Sequence, residues 1–343
     1  GLDRLSILFE GVYMDNEIYL NGEKIFTWPY GYSQFEIDLT SYVKEGENTI
    51  WVKNTYELPN SRWYPGSGIY RNVWLVRRPA VHFTTDGGYL SAKKEGDAFI
   101  LHADYEIQND TDSACEVTLC HTVLAPDGKV AGTSKETLTI PCGLTVNKQT
   151  MTFEAPLLWD IESPNLYTVH SEIIKDETAI DSSDERFGFR TIAFDPDKGF
   201  FLNGRNVKIN GSCEHHTLGA LGAAMNREAV RRQLTIMQKM GVNAIRSAHN
   251  MPAPELMELC DEMGLLLYTE SFDMWEHCKT DYDYGNYFKD WWKTDLTSWV
   301  RQDRNHPSVF IWGIGNEIHD IHFDRGLEVT KMLRDAVKEL DYY

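Results

Sequence analysis

The apolar pattern of this 343-residue chain changes period near Phe200, and that change narrows the folds open to it. Before that point, short runs alternate apolar and polar residues and are broken by Gly, Pro and Asn. Beyond it, apolar residues recur at helical spacing between short, almost wholly apolar segments. Two all-β stretches followed by alternating strands and helices predict a multidomain chain: an all-β jelly-roll sandwich, an immunoglobulin-like β-sandwich, and an α/β part with a parallel sheet.

In residues 1–79, Glu17–Leu20 and Glu23–Phe26 flank Asn21–Gly22, a two-residue hairpin signal. Further strands are predicted at Phe35–Leu39, Asn48–Val52 and Asn72–Val76, too few for a complete jelly roll. Residues 80–195, flanked by Pro79 and Pro196, carry strands at His102–Ile107, Glu116–Val123, Glu136–Ile140 and Tyr167–Ile174. Residues 196–343 begin with a predicted strand at Asn206–Gly211. Asn226 caps a helix carrying Val230, Leu234, Met237 and Met240, and Gly241 ends it. The strands Val242–Ser247, Leu265–Glu270 and Val309–Gly315 then alternate with three helices. The first runs from Pro254 to Gly264, the second carries Phe288, Trp291, Trp292, Leu296, Trp299 and Val300, and the third is Asp324–Leu340. Four strand–helix units make the N-terminal half of a TIM, or (β/α)₈, barrel.

In such a barrel the reacting groups lie just beyond the C-terminal ends of strands. Here those positions are Cys213–Glu214–His215–His216, His249–Asn250, Glu270–Ser271–Phe272–Asp273 and Asn316–Glu317, all polar or ionisable, which points to one shared pocket. A carboxyl at a dry barrel mouth can have its pKa raised enough to stay protonated and donate to a leaving oxygen, the chemistry expected of Glu317. The bland alternative is an acid favouring the N-terminus of the following helix. Asn316 can hydrogen-bond a sugar hydroxyl.

Three runs carry a resemblance: Asn305–His306–Pro307–Ser308–Val309–Phe310–Ile311–Trp312–Gly313–Ile314–Gly315–Asn316–Glu317, Arg62–Trp63–Tyr64–Pro65–Gly66–Ser67–Gly68–Ile69–Tyr70–Arg71–Asn72–Val73, and Gly241–Val242–Asn243–Ala244–Ile245–Arg246–Ser247–Ala248–His249–Asn250. Over essentially its whole length the chain resembles glycoside hydrolase family 2, in particular its β-galactosidases. The resemblance implies a retaining exo-β-glycosidase acting on terminal β-D-galactosides, with Glu317 as general acid/base. It places His249 near the sugar, the alternative being a buried structural histidine. The large galactosidases carry Arg-His-Glu-His-His in the first barrel loop, where this chain has Ser212–Cys213–Glu214–His215–His216. Cys213 thus replaces a substrate-facing histidine. The chain is similar instead to a branch with Cys-x-His-His followed by Leu-Gly-Ala-Leu-Gly, here Leu218–Gly222, and His215 joins the substrate-binding candidates. The same branch carries Glu-x-Phe-Asp-x-Trp, matched by Glu270, Phe272, Asp273 and Trp275. Glu270 and Asp273 are candidate sugar ligands, and Trp275 is either an apolar platform for the sugar or rim packing. The Glu-x-His expected of a magnesium site is missing after this strand, so neither a metal nor another cofactor is predicted.

Retaining hydrolysis needs a second carboxylate about 5–5.5 Å from the first. The resemblance puts that nucleophile at the end of the seventh strand, whereas the chain stops after the fourth helix. The expectation is therefore a fragment of a longer enzyme, inactive in isolation, which also lacks the opening strands of its jelly roll. A β-glucuronidase of the same family is the close rival, and a non-catalytic carbohydrate-binding fragment is the alternative of another class. The net charge of −19 disfavours nucleic acid as a partner, and no run of eighteen apolar residues suggests a membrane span. Six scattered cysteines read as thiols rather than a disulfide or metal framework. Gly1–Leu2–Asp3 has neither the basic start nor the apolar core of a signal peptide, yet a start within a domain leaves cytoplasm and export both open. A homo-oligomer of the full-length enzyme is compatible with all of this.

Overall fold

The computed structural model describes residues 3–342; Gly1, Leu2 and Tyr343, which enter the readings of leader and chain end, lie outside the described residues. The first domain packs two three-stranded antiparallel sheets. One orders Phe35–Asp38, Arg4–Phe9 and Val73–Arg78, and the other Glu23–Trp28, Asn16–Leu20 and Ile50–Asn54. The turn between Asn16–Leu20 and Glu23–Trp28 forms at Asn21 and Gly22, whose φ values of 53° and 89° are those a tight hairpin demands. Alternation puts Ile7, Phe9, Ile18, Leu20, Phe35 and Ile37 on the inner faces, where they form the core with Trp28.

The second domain pairs a three-stranded sheet (Gly143–Glu154, Ala98–Asn109, Val81–Glu95) with a four-stranded one (Val130–Ile140, Cys115–Leu124, Tyr167–Lys175, Thr178–Phe187), the layout of an immunoglobulin-like sandwich. Its core interleaves Leu101, Tyr105 and Ile107 with Val117, Leu119 and Val169.

The third part is a parallel sheet of four strands, β1 (Gly211–Glu214), β2 (Ala244–Ser247), β3 (Leu266–Glu270) and β4 (Val309–Gly313). Its helices are α1 (Arg227–Lys239), α2 (Pro254–Met263), α3 (Phe288–Asp303) and α4 (Asp324–Leu340). The Asn226 side chain accepts from the Ala229 amide and so caps α1. Gly264, at φ 69°, ends α2 in the left-handed conformation.

One strand lies away from its expected place. Arg205–Asn206 folds back on Gly199–Leu202 around Asn203–Gly204, and the first barrel strand begins only at Gly211. The local hairpin wins because Phe200, Leu202 and Val207 bury against Ala244, Leu266 and Phe310 at the N-terminal end of the barrel sheet. The small sheet so formed includes Ile192–Asp195 and therefore spans Pro196.

Helix α3 ties the three parts together. Trp291 meets Trp28 of the jelly roll edge to face at 5.4 Å, Ser298 donates to the Gln34 carbonyl at 2.8 Å, and Arg301 holds Glu106 of the second sandwich at 2.6 Å. On the same helix Asp295 is fully buried, accepting from Ser33 at 2.6 Å and from the Tyr284 hydroxyl. Burial pushes its carboxyl up from 3.8 to about 7, against the lowering by those two hydroxyl donors.

Because the folded pKa exceeds the unfolded one, the stability linked to this proton is complete below about pH 4 and lost as pH rises through about 7. Asp295→Asn does not titrate. It should therefore gain on the wild type by ~1.4 kcal/mol per pH unit between those limits, read as the difference in urea unfolding free energy at pH 5 and pH 8. A pH-independent difference would refute the burial argument.

Candidate active site

The ends of β2, β3 and β4 converge on one charged network. Glu270, fully buried at the end of β3, takes both arms of the Arg246 guanidinium from β2, with Nη2 at 2.8 Å, and accepts from His249 Nδ1 at 2.9 Å. A carboxylate only accepts, so Nδ1 carries the proton and Nε2 is left as the acceptor. Burial would lower the Arg246 pKa, but the bonds and charge of Glu270 raise it, so the cation is secure. Arg246 Nη2 also donates to Asn316 Oδ1 at 2.9 Å, and Asn316 Nδ2 donates to Asp273 Oδ1 at 2.8 Å.

Asp273 is the hub of the other half. Its side chain is 1% exposed, and Oδ1 accepts from Asn316, from Lys279 Nζ at 3.0 Å and from Arg62 Nη2 at 2.9 Å. Lys279 also donates to the Asn316 carbonyl at 2.6 Å; burial lowers its pKa and Asp273 opposes that. Arg62 Nη1 reaches Glu317 Oε2 at 2.8 Å.

Among the described residues the Glu317 carboxyl is set against protonation, where the sequence leads one to expect a protonated acid. Its side chain is 69% exposed among the described residues, and the Arg62 hydrogen bond and charge, with Lys279 behind them, hold its carboxyl below the usual range. In this state it is ionised. Its backbone lies in the left-handed region at φ 45°, uncommon for a residue with a long side chain and frequent at functional sites.

Other expected site residues are sorted by the fold. His215 faces the site, its ring 5.3 Å from that of His249, and burial lowers its pKa. His216 is turned inward against Tyr32 and Arg71, while Glu214 points at Gln233 of α1. Trp275 is no platform: it is buried, donates Nε1 to the Ile314 carbonyl at 2.8 Å, and packs where a side chain on Gly315 would stand. Cys213 is exposed beside Arg246, and all six cysteines are free.

Arg62, Trp63, Arg246 and Lys279 were not among the expected site residues. Trp63 supplies a half-buried aromatic ring where Trp275 does not, 4.8 Å from the ring of His215 and 5.6 Å from that of His249. Arg62 and Trp63 sit on a loop of the jelly roll within one of the sequence runs that carried the resemblance. Farther along that run, buried Arg71 bonds the carbonyls of Tyr32 at 2.9 Å and Met251 at 2.8 Å, sewing the jelly roll to the loop after β2. Much of the Asn305–Glu317 run is likewise structural: Asn305 pairs with the backbone of Gly88 and Leu90, and His306 with Asp261. Among the described residues no cluster of three or more His, Cys, Asp or Glu could hold a metal ion, and no helix is long and apolar enough to cross a membrane.

Comparison with known proteins agrees along the whole chain. Family models described as "Glycosyl hydrolases family 2, sugar binding domain", "Glycosyl hydrolases family 2" and "Glycosyl hydrolases family 2, TIM barrel domain" match residues 2–79, 89–190 and 196–342. The chain is 43% identical over 316 residues to the β-galactosidase BoGH2A of Bacteroides ovatus, covering 91% of this chain and 37% of that protein. It is 37% identical to a putative β-glucuronidase of Formosa agariphila, covering 95% of this chain and 32% of that one. Its structure superposes on a crystal structure of a family 2 member from Bacteroides cellulosilyticus with a TM-score of 0.96 at 35% identity, covering 99% of this chain and 44% of the other. The chain thus spans less than half the length of these relatives.

Proposed function

The chain belongs to glycoside hydrolase family 2, and from that premise we propose that it carries the acid/base half of a retaining exo-β-glycosidase acting on terminal β-D-galactosides. The observation that carries the reading is the placement of Glu317 just beyond β4, beside Asn316, bonded to Arg62 and linked through it to Asp273, with the charge of His249 acting on it. A carboxyl in that place can protonate the glycosidic oxygen and then take a proton from the water that releases the sugar. His249, with Nδ1 committed to Glu270, offers Nε2 to a sugar hydroxyl, and Trp63 offers an aromatic face to the C–H side of the ring.

The nucleophile is proposed to lie outside these 343 residues. Glu270 is fully buried with its oxygens taken by Arg246 and His249, and Asp273 is enclosed by Arg62, Lys279 and Asn316, so neither is free to attack an anomeric carbon. The greater length of the relatives supports the same reading.

The galactoside preference rests on BoGH2A; a glucuronide is the second reading, favoured by the name of the Formosa relative. The full-length protein is expected to hydrolyse nitrophenyl β-D-galactoside with kcat/KM at least about tenfold above that for the β-D-glucuronide, a difference of ~1.4 kcal/mol in transition-state binding. The reverse order would transfer the assignment to a β-glucuronidase.

A further inference from the structure

Resting on the acid/base assignment of Glu317, we propose that Arg62 is a positioning residue of the active site: delivered by the jelly-roll domain, it orients the Glu317 carboxyl against Asp273 and supplies its counter-charge whenever it is ionised. The geometry is that of a fork. One arm of the guanidinium bonds Glu317 at 2.8 Å and the other Asp273 at 2.9 Å. Asp273 is an immobile anchor, being buried and held by Lys279 and Asn316. Among the described residues Glu317 has no comparable enclosure and is bonded to Arg62, so the planar fork directs it.

The loop that presents Arg62 is itself held. Buried Asn60 accepts from the Tyr13 hydroxyl at 3.2 Å and donates to the Glu57 carbonyl at 2.6 Å, while Trp63 donates to the Tyr32 hydroxyl at 3.3 Å and packs at a tilt against His215. A cation placed this firmly, from a domain that contributes no barrel strand, acts on the reaction only through what it touches.

In the first step of a retaining reaction Glu317 gives its proton to the glycosidic oxygen. The carbon–oxygen bond breaks, and the nucleophilic carboxylate bonds the anomeric carbon. Glu317 is then an anion beside Arg62. In the second step it takes a proton from water, whose oxygen bonds the anomeric carbon as the nucleophile departs. The fork favours the ionised, base-competent state and opposes the protonated one. With Arg62 anchored on Asp273, the contact directs the Glu317 carboxyl in both steps, and it lowers the pH at which the acid-competent form gives way to the ionised one.

The test compares Arg62→Met, Arg62→Lys and Glu317→Gln in the full-length protein, using phenyl and 2,4-dinitrophenyl glycosides of the sugar it hydrolyses. The dinitrophenolate departs without a proton. Arg62→Met should lower kcat/KM for the phenyl glycoside about tenfold or more but for the dinitrophenyl glycoside less than about threefold. It should also move the basic limb of the kcat/KM profile upward by about half a pH unit or more, because the proton is then held to higher pH. Arg62→Lys, a point charge without the fork, should restore part of the loss. Equal loss on both aglycones with an unmoved limb would overturn the inference and make Arg62 a sugar ligand or a structural residue. If Glu317→Gln itself shows no dependence on the leaving group, the acid/base assignment fails; if it does and Arg62→Met does not, only the role of Arg62 fails.

Discussion

Glu317→Gln in the full-length protein is expected to lower kcat/KM for a phenyl glycoside by about 10²–10⁴-fold, the range over which a positioned general acid contributes. The amide keeps the size of the side chain and can still accept from Arg62, but it has no proton to give. The exchange is isosteric and replaces a part-exposed ion pair by a hydrogen bond, so the thermal midpoint should move little. For a dinitrophenyl glycoside kcat/KM should fall less than about tenfold, because that leaving group needs no acid, while kcat should collapse as the second step loses its base. Glu317→Ala opens space beside Arg62 for azide, which should restore turnover by forming the β-glycosyl azide. Its retained configuration would report the double displacement. Undiminished hydrolysis of the phenyl glycoside would remove Glu317 from the reaction.

The parts of the fold legible in the sequence are those whose stability is local. The hairpin at Asn21–Gly22 needs only two residues that tolerate positive φ, and α1 needs only its Asn226 cap and an apolar stripe. The strand expected at Asn206–Gly211 was displaced because its competitor, the turn at Asn203–Gly204, is also local, and burial of Phe200 and Leu202 beneath the barrel decides between them. The site was legible where chemistry sits at strand ends, which yields Glu270, Asp273, Asn316 and Glu317. It was not legible where a side chain arrives from another domain: Arg62 lies 255 positions from Glu317. Trp275 failed for a different reason. Its spacing after β3 is compatible with a rim or a core position, and the close approach permitted by Gly315 draws it into the core. Glu317 lies beyond the strand end where the sequence puts it, but its electrostatic state depends on that same distant arginine.

The largest effect on stability is expected at Glu270, which meets Arg246 in a pair with one partner wholly inside: the carboxylate is 0% exposed and the arginine side chain 27%. Glu270→Ala leaves a guanidinium facing a buried apolar gap, and breaking such a pair from one side costs about 3–5 kcal/mol. It also frees His249 Nδ1, so the tautomer that presents Nε2 as an acceptor is no longer enforced. The double variant Arg246→Met/Glu270→Met removes both charges while filling the volume, and it should recover much of the stability lost in Glu270→Ala. It should not recover activity, since neither His249 nor Asn316 regains its partner. Urea unfolding of the full-length wild type, Glu270→Ala and the double variant, each paired with kcat/KM, separates the two contributions. If the double variant is as unstable as the single one, the cost lies in lost packing rather than in a stranded charge. If it regains activity with stability, the pair does no more than hold the strands together, and the orientation of His249 comes from its own packing against His215 and Trp63.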